Sequence, residues 1–159
     1  MAPKTPKTRK TRKPKKIPKR TRLAAPPLRR QPESLRLRSM AASLTVNDVP
    51  QSAAWYRDML GFTIGERWEE DGKLRALQVK AGRCDLMLNQ DDFAKGRDRK
   101  KGEGFRLWVS TAQDIDAIAA GIKARGVPLD FEPRTTPWGS YAFALTDPDG
   151  YKITFIQEE

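Results

Sequence analysis

Among the side chains that could do chemistry, the most informative fact is an absence: the 159-residue chain contains no histidine. That removes the commonest general base near neutral pH, the commonest transition-metal ligand, and every Ser-His or Cys-His nucleophile pair. Asp147 and Asp149 are spaced as a carboxylate pair, but Asp-Pro-Asp-Gly at 147–150 is first of all the composition of a tight turn. Cys84 is the single cysteine, so no intrachain disulfide can form. With no histidine to activate it, it reads as a bland buried or half-buried thiol. Arg106, Tyr141 and Asp85 are among the groups that could serve acid-base chemistry without a metal. Arg106 and Trp108 stand two apart in an apolar run, a spacing that puts a fixed cation and an indole on one face of a strand.

The charge is split along the chain. Residues 1–40 carry 15 Lys and Arg against the one acid Glu33, a net +14, and the other 119 residues carry 16 against 19, a net −3. A basic tail is therefore attached to a mildly acidic domain. Residues 1–38 interleave Lys and Arg with Pro and Thr and have almost nothing apolar to bury, so they are expected to be disordered. Lys10, Arg12, Lys13, Lys15, Lys16, Lys19 and Arg20 are the expected contacts to nucleic acid or another polyanion, made by counterion release and steeply dependent on salt. The competing reading is a solubilising extension. No apolar run approaches the ~20 residues of a spanning helix, and the N-terminus lacks the apolar core of a secretory signal. A reducing, cytoplasmic setting is expected, with nucleoid association if the tail binds DNA.

Residues 39–159 read as the folded domain: a first module at about 40–90, a charged connector at 91–104, and a second module at 105–159. Residues 41–46 form a short strand pattern, and Asn47, Asp48 and Pro50 supply the cap and first-turn proline of a helix. Ala53, Tyr56, Met59 and Leu60 recur at helical spacing, and Gly61 suits a left-handed C-terminal cap. Trp55 and Tyr56 are assigned to core packing. Residues 62–68, 74–79 and 84–88 read as three strands. The order then repeats, with a strand at 105–109, a capping-box-like Thr111 and Asp114, a helix ending at Gly126, and strands at 129–131, 141–145 and 152–156. The fold class is α+β, two βαβββ modules with eight strands in all.

Residues 46–62 (VNDVPQSAAWYRDMLGF), the Trp138-Gly139 pair and residues 147–155 (DPDGYKITF) resemble the vicinal oxygen chelate superfamily of glyoxalases, bleomycin-resistance proteins and extradiol dioxygenases. The resemblance covers about 120 residues and implies an eight-stranded, cup-shaped mixed sheet and pairing into a homodimer. In enzymes of this family four inward ligands hold a divalent metal. By motif offset those places fall at Ala41, Leu86, Gly104 and Thr154, of which only Thr offers a side-chain donor, and a weak one.

No metal or other cofactor is therefore expected. The chain is similar to the bleomycin-resistance branch, which sequesters a small organic compound in the same cup. Alternation from the mapped places puts Ser43, Thr45, Leu86, Leu88, Arg106, Trp108 and Thr154 on the cup side, with Trp138 in a loop able to gate it. An apolar wall with one cation suits a flat aromatic or partly anionic ligand. Two alternatives stay open: a glyoxalase-like lyase or isomerase with a non-standard site, and a nucleic-acid-associated protein anchored by its tail.

Overall fold

In a computed structural model of the chain, residues 39–158 are described; the tail expectation, from Lys10 to Arg20, lies outside them. The first module runs β1 (Ala42–Val46), α1 (Val49–Leu60), β2 (Thr63–Glu70), β3 (Lys73–Ala81) and β4 (Cys84–Gln90). The second runs β5 (Arg106–Thr111), α2 (Ile115–Ala124), β6 (Leu129–Thr135), β7 (Tyr141–Thr146) and β8 (Lys152–Gln157). The architecture is α+β with two βαβββ modules. Its eight strands form two four-stranded mixed sheets, ordered β1-β4-β3-β2 and β5-β8-β7-β6. In each, the first strand lies parallel to the last and the other neighbours are antiparallel.

Local chemistry sets the helix ends. Asp48 is extended at φ −147° and accepts from Gln51 N–H at 2.8 Å, with Pro50 in the first turn; Gly61 closes α1 at φ +76°. The start of α2 differs from the expected capping box. Asp114 itself is the cap, accepting from Asp116 and Ala117 N–H, while Thr111 Oγ1 accepts from Gln113 N–H one step earlier.

A second device repeats in both modules. Gln90, the last residue of β4, accepts from Val49 N–H at 3.2 Å and donates to Asn47 O at 2.7 Å. Gln157, the last residue of β8, accepts from Ile115 N–H at 3.2 Å and donates to Thr111 O at 3.3 Å. Each glutamine satisfies an N–H that the first turn of its helix leaves without a partner, and so ties the final strand of a module to that module's helix.

Leu44, Val46, Leu77, Val79, Leu86 and Leu88 are buried with Val49, Ala53 and Tyr56 of α1, and Phe143, Leu145 and Ile153 with Ile115, Ala119 and Ile122 of α2. All belong to one continuous cluster, so the two modules share a core. The turn between β7 and β8 closes the seam. Asp147 accepts from Tyr56 Oη at 2.8 Å and from the N–H groups of Asp149 and Tyr151. Asp149 accepts from Asn47 N–H and Ser52 Oγ, each at 2.7 Å. Burial pushes the Asp147 carboxyl above its ordinary range, an effect that the Tyr56 hydrogen bond opposes. The Asp-Pro-Asp-Gly turn is structural, as its composition suggests, but its carboxylates fasten one module to the other and are not merely local.

The connector is more ordered than a solvated basic loop. Asp91 is buried and accepts from Arg99 Nη2 at 2.8 Å and Phe93 N–H at 2.9 Å, while Lys101 Nζ lies 3.0 Å from it and also donates to Asn47 Oδ1. Gly102 packs so tightly on the β7–β8 turn that a Cβ there would sit 2.3 Å from Gly150 O. Arg99 and Lys101, two cations of this basic connector, are spent on holding it in place.

Candidate functional site

Each sheet turns one face toward its helix and leaves the other free of helix. In the second module, strand alternation sends Ile153 toward the core and Thr154 the other way. Register carries this across the sheet: Arg106 lies beside Lys152, Trp108 and Ala144 beside Thr154, Phe131 beside Ala144, and Arg134 beside Ala142. Ala142, Ala144 and Thr154 are covered although no helix lies over them. Their cover is a rim of larger side chains. Arg106 Nη1 donates to Thr154 Oγ1 at 2.9 Å, the Trp108 and Trp138 rings stand 5.7 Å apart, and the Arg134 guanidinium stacks 4.7 Å from the Phe131 ring.

Trp108 and Trp138 are 56% and 57% exposed, two adjacent indoles with apolar surface left in water. Arg106 and Lys152 are like charges on directly paired positions, and among the described residues neither is in an ion pair. Such an arrangement is repulsive unless an anion comes between the two cations. A shallow groove of about 450 Å³ opens beside them, lined also by Gly102, Gly104, Gly150 and one acid, Glu103, which lies 3.9 Å from Lys100.

The helix-free face of the first module is different in kind. It carries Ser43, Thr45, Gln78, Lys80, Asp85, Met87 and Asn89, with Asn89 Nδ2 donating to Ser43 Oγ at 2.7 Å. The Thr45 backbone is held by Tyr151 Oη, which accepts from its N–H and donates to its carbonyl. One face is therefore polar and the other aromatic and cationic.

Of the residues placed on the cup side from sequence, Arg106, Trp108, Trp138 and Thr154 come together, and Ser43 and Thr45 lie on the corresponding face of the first sheet. Leu86 and Leu88 do not. They are 6% and 0% exposed in the core under α1, because β1 pairs with β4 in a register that sets Ala42 beside Leu86 and Ser43 beside Met87. Aligning Gly82 with Gly150 hides the difference in turn length. Ala81 pairs with Cys84 across two residues, whereas Thr146 pairs with Lys152 across five. An odd difference shifts one strand by one residue, which inverts its faces. The counterpart of Thr154 is therefore Met87.

That correction moves one of the four mapped ligand places. With Met87 in place of Leu86, the four mapped places read Ala41, Met87, Gly104 and Thr154. Ala and Gly offer no side-chain donor, a thioether does not suit a hard divalent metal, and a guanidinium already occupies the Thr154 hydroxyl. Among the described residues no three His, Cys, Asp or Glu side chains come together. The acid-base candidates are scattered as well. Asp85 is on the first sheet, Arg106 on the helix-free face of the second, and Tyr141 faces α2, where its hydroxyl donates to Asp116. That hydrogen bond raises the Tyr141 phenol above its ordinary value.

Sequence reasoning missed Phe131, Arg134 and Lys152. Lys152 was within reach, since it stands two before Thr154. The other two follow β-bulges in β6 that break simple alternation.

Residues 38–155 match the family model described as the glyoxalase/bleomycin resistance protein/dioxygenase superfamily. Solved structures agree. The chain is 28% identical to TnmS3, an antibiotic binding protein from Streptomyces sp. CB03234, covering 79% of this chain and all of that one at a TM-score of 0.62. It is 26% identical to a member of the same superfamily from Sphaerobacter thermophilus DSM 20745, covering 77% and 98% of the two chains at a TM-score of 0.62. TioX from Micromonospora sp. ML1, at 19% identity with 76% and 98% covered and a TM-score of 0.62, shares the fold. No curated protein sequence matches the chain.

Proposed function

The chain belongs to the glyoxalase/bleomycin resistance protein/dioxygenase superfamily, and from that premise we propose that it binds and sequesters a small organic compound without a metal. The ligand is flat, aromatic and anionic. One observation carries this reading: the exposed Trp108 and Trp138 pair shares the second module with Arg106 and Lys152, two neighbouring cations that are in no ion pair among the described residues. Indole faces favour a stacked ring, and a guanidinium fixed by Thr154 gives an anionic group a bidentate anchor. The likeness to an antibiotic binding protein at 28% identity supports the same class of activity.

Homodimerisation fits this reading. The two helix-free faces are open and unlike, and pairing a polar face from one copy with the aromatic face of another would enclose a ligand and bury the indoles. The single cysteine accords with a cytoplasmic setting. Native mass spectrometry of the full chain, before and after mild denaturation, tests both points. A dimer carrying an organic mass that is lost in Trp138→Ala or Arg106→Ala supports the proposal. A stoichiometric divalent metal, or an organic mass indifferent to both substitutions, overturns it.

The charge partition favours a second, compatible activity. A net charge of +14 in residues 1–40 is suited to holding a polyanion, with Lys10 to Arg20 as the contacts. Deleting residues 1–38 should abolish salt-sensitive retention on DNA; retention that survives the deletion excludes the tail as its anchor.

A further inference from the structure

The internal repeat is imperfect at one place, and the imperfection leaves a cleft. Where the second module reaches the first, the five residues 147–151 fill the space against α1 through Ser52, Tyr56 and Asn47. Where the first module reaches the second, the corresponding turn has only Gly82 and Arg83. Ser52 lies three residues after Val49 in α1, and its counterpart three residues after Ile115 in α2 is Ile118. Ser52 is hydrogen-bonded and buried, while Ile118 lines an open cleft of about 1060 Å³. This volume is at the upper end of small-molecule pockets, roughly 300–1,000 Å³.

The floor is apolar: Phe62, Val109, Ile118 and Phe155 line it. Four charged side chains also line it, and they are not equivalent. Asp114 is committed to capping α2, and Glu158 accepts from Ser110 Oγ. Arg125 uses only Nε, donating to Met59 O at 2.8 Å, which leaves both terminal nitrogens free of protein hydrogen bonds among the described residues. Arg83 has neither a side-chain hydrogen bond nor an ion pair among the described residues. The acids are thus engaged and the guanidiniums are available. Guanidiniums in that state select a carboxylate, which they can hold in paired, charge-assisted hydrogen bonds.

We propose that this cleft is a second ligand site, separate from the aromatic face, that takes an amphipathic carboxylate: the acid group on Arg83 and Arg125, the apolar body on the floor against α2. It lies on the helix side of the second sheet, whereas Trp108 and Thr154 point the other way, so occupation of one site leaves the other accessible.

Cys84, the chain's single cysteine, is exposed at the edge of the cleft and not buried as its place in a strand suggested, because it sits at the β3–β4 turn, and it reports on the cleft's occupation. The experiment follows N-ethylmaleimide alkylation of Cys84 in the full chain by intact mass, with dodecanoate below its micellar concentration as the probe and dodecylammonium as the cation of the same tail. Dodecanoate at a concentration that fills four-fifths of the protein should slow alkylation about fivefold, since only the unoccupied fifth reacts. Dodecylammonium should not, and Arg83→Ala/Arg125→Ala should lose the protection, each variant being compared with itself without probe. A rate unchanged by dodecanoate, equal slowing by both amphiphiles, or protection that survives the double substitution overturns the proposal. Should the double variant not fold, the comparison of the two amphiphiles on the unaltered protein still decides.

Discussion

The phenol of Tyr56, in the middle of α1, donates to Asp147 Oδ2 at 2.8 Å, so a helix of the first module and a turn of the second share one buried hydrogen bond. Removing the donor leaves a buried carboxylate with only its backbone partners. Tyr56→Phe should therefore lower the free energy of unfolding by about 1–3 kcal/mol, the cost of an unmet buried polar group. Urea titration checks this, and a variant as stable as the parent would mean that the seam is held by apolar contact alone.

The inversion of β4 can be tested by neighbouring substitutions. Leu88, fully buried under α1, should cost about 2–5 kcal/mol as Leu88→Ala. Met87→Ala, one residue earlier on the helix-free face, should cost about 1 kcal/mol or less. Equal costs in thermal or urea unfolding would contradict a register that pairs Ser43 with Met87.

Two glycines of the connector separate crowding from backbone conformation. Gly102 and Gly104 have φ of +73° and +71°, but a Cβ on Gly102 would meet Gly150 O at 2.3 Å, whereas one on Gly104 would meet nothing within 4 Å. Gly104→Ala should lose about 1–2 kcal/mol for the left-handed backbone. Gly102→Ala should lose distinctly more, because the clash is with backbone. Melting temperatures of the pair give the comparison.

Hydrogen bonds from Arg99 and then Lys101 hold the Asp91 carboxyl well below its ordinary value of 3.8. A depressed carboxyl contributes stability that is present above its unfolded value and is lost as pH falls through the folded one. The unaltered protein should thus weaken steeply below about pH 4. In Asp91→Asn this part of the acid slope should vanish, and the stability gap between the two proteins should close as pH falls. Urea midpoints measured at descending pH would show it; parallel curves would remove Asp91 from the acid response.

Much of this protein was legible from its residues alone, because the informative signals are local. Asp48, Pro50 and Gly61 bound α1 through contacts with residues three or four away, and alternation put Arg106, Trp108 and Thr154 on one face of one sheet. The absence of histidine is a property of composition alone. Tertiary structure decided everything that depends on one strand or turn meeting another distant in sequence. The facing of Leu86 and Leu88 rests on the pairing of β1 with β4, which a two-residue turn shifts against its five-residue counterpart. The same difference lets Asp147 and Asp149 bind the first module while leaving a cleft beside Ile118. Alternation has a period of two and no memory across a turn, so a sequence pattern names the two faces of a strand but only the register says which of them meets the helix.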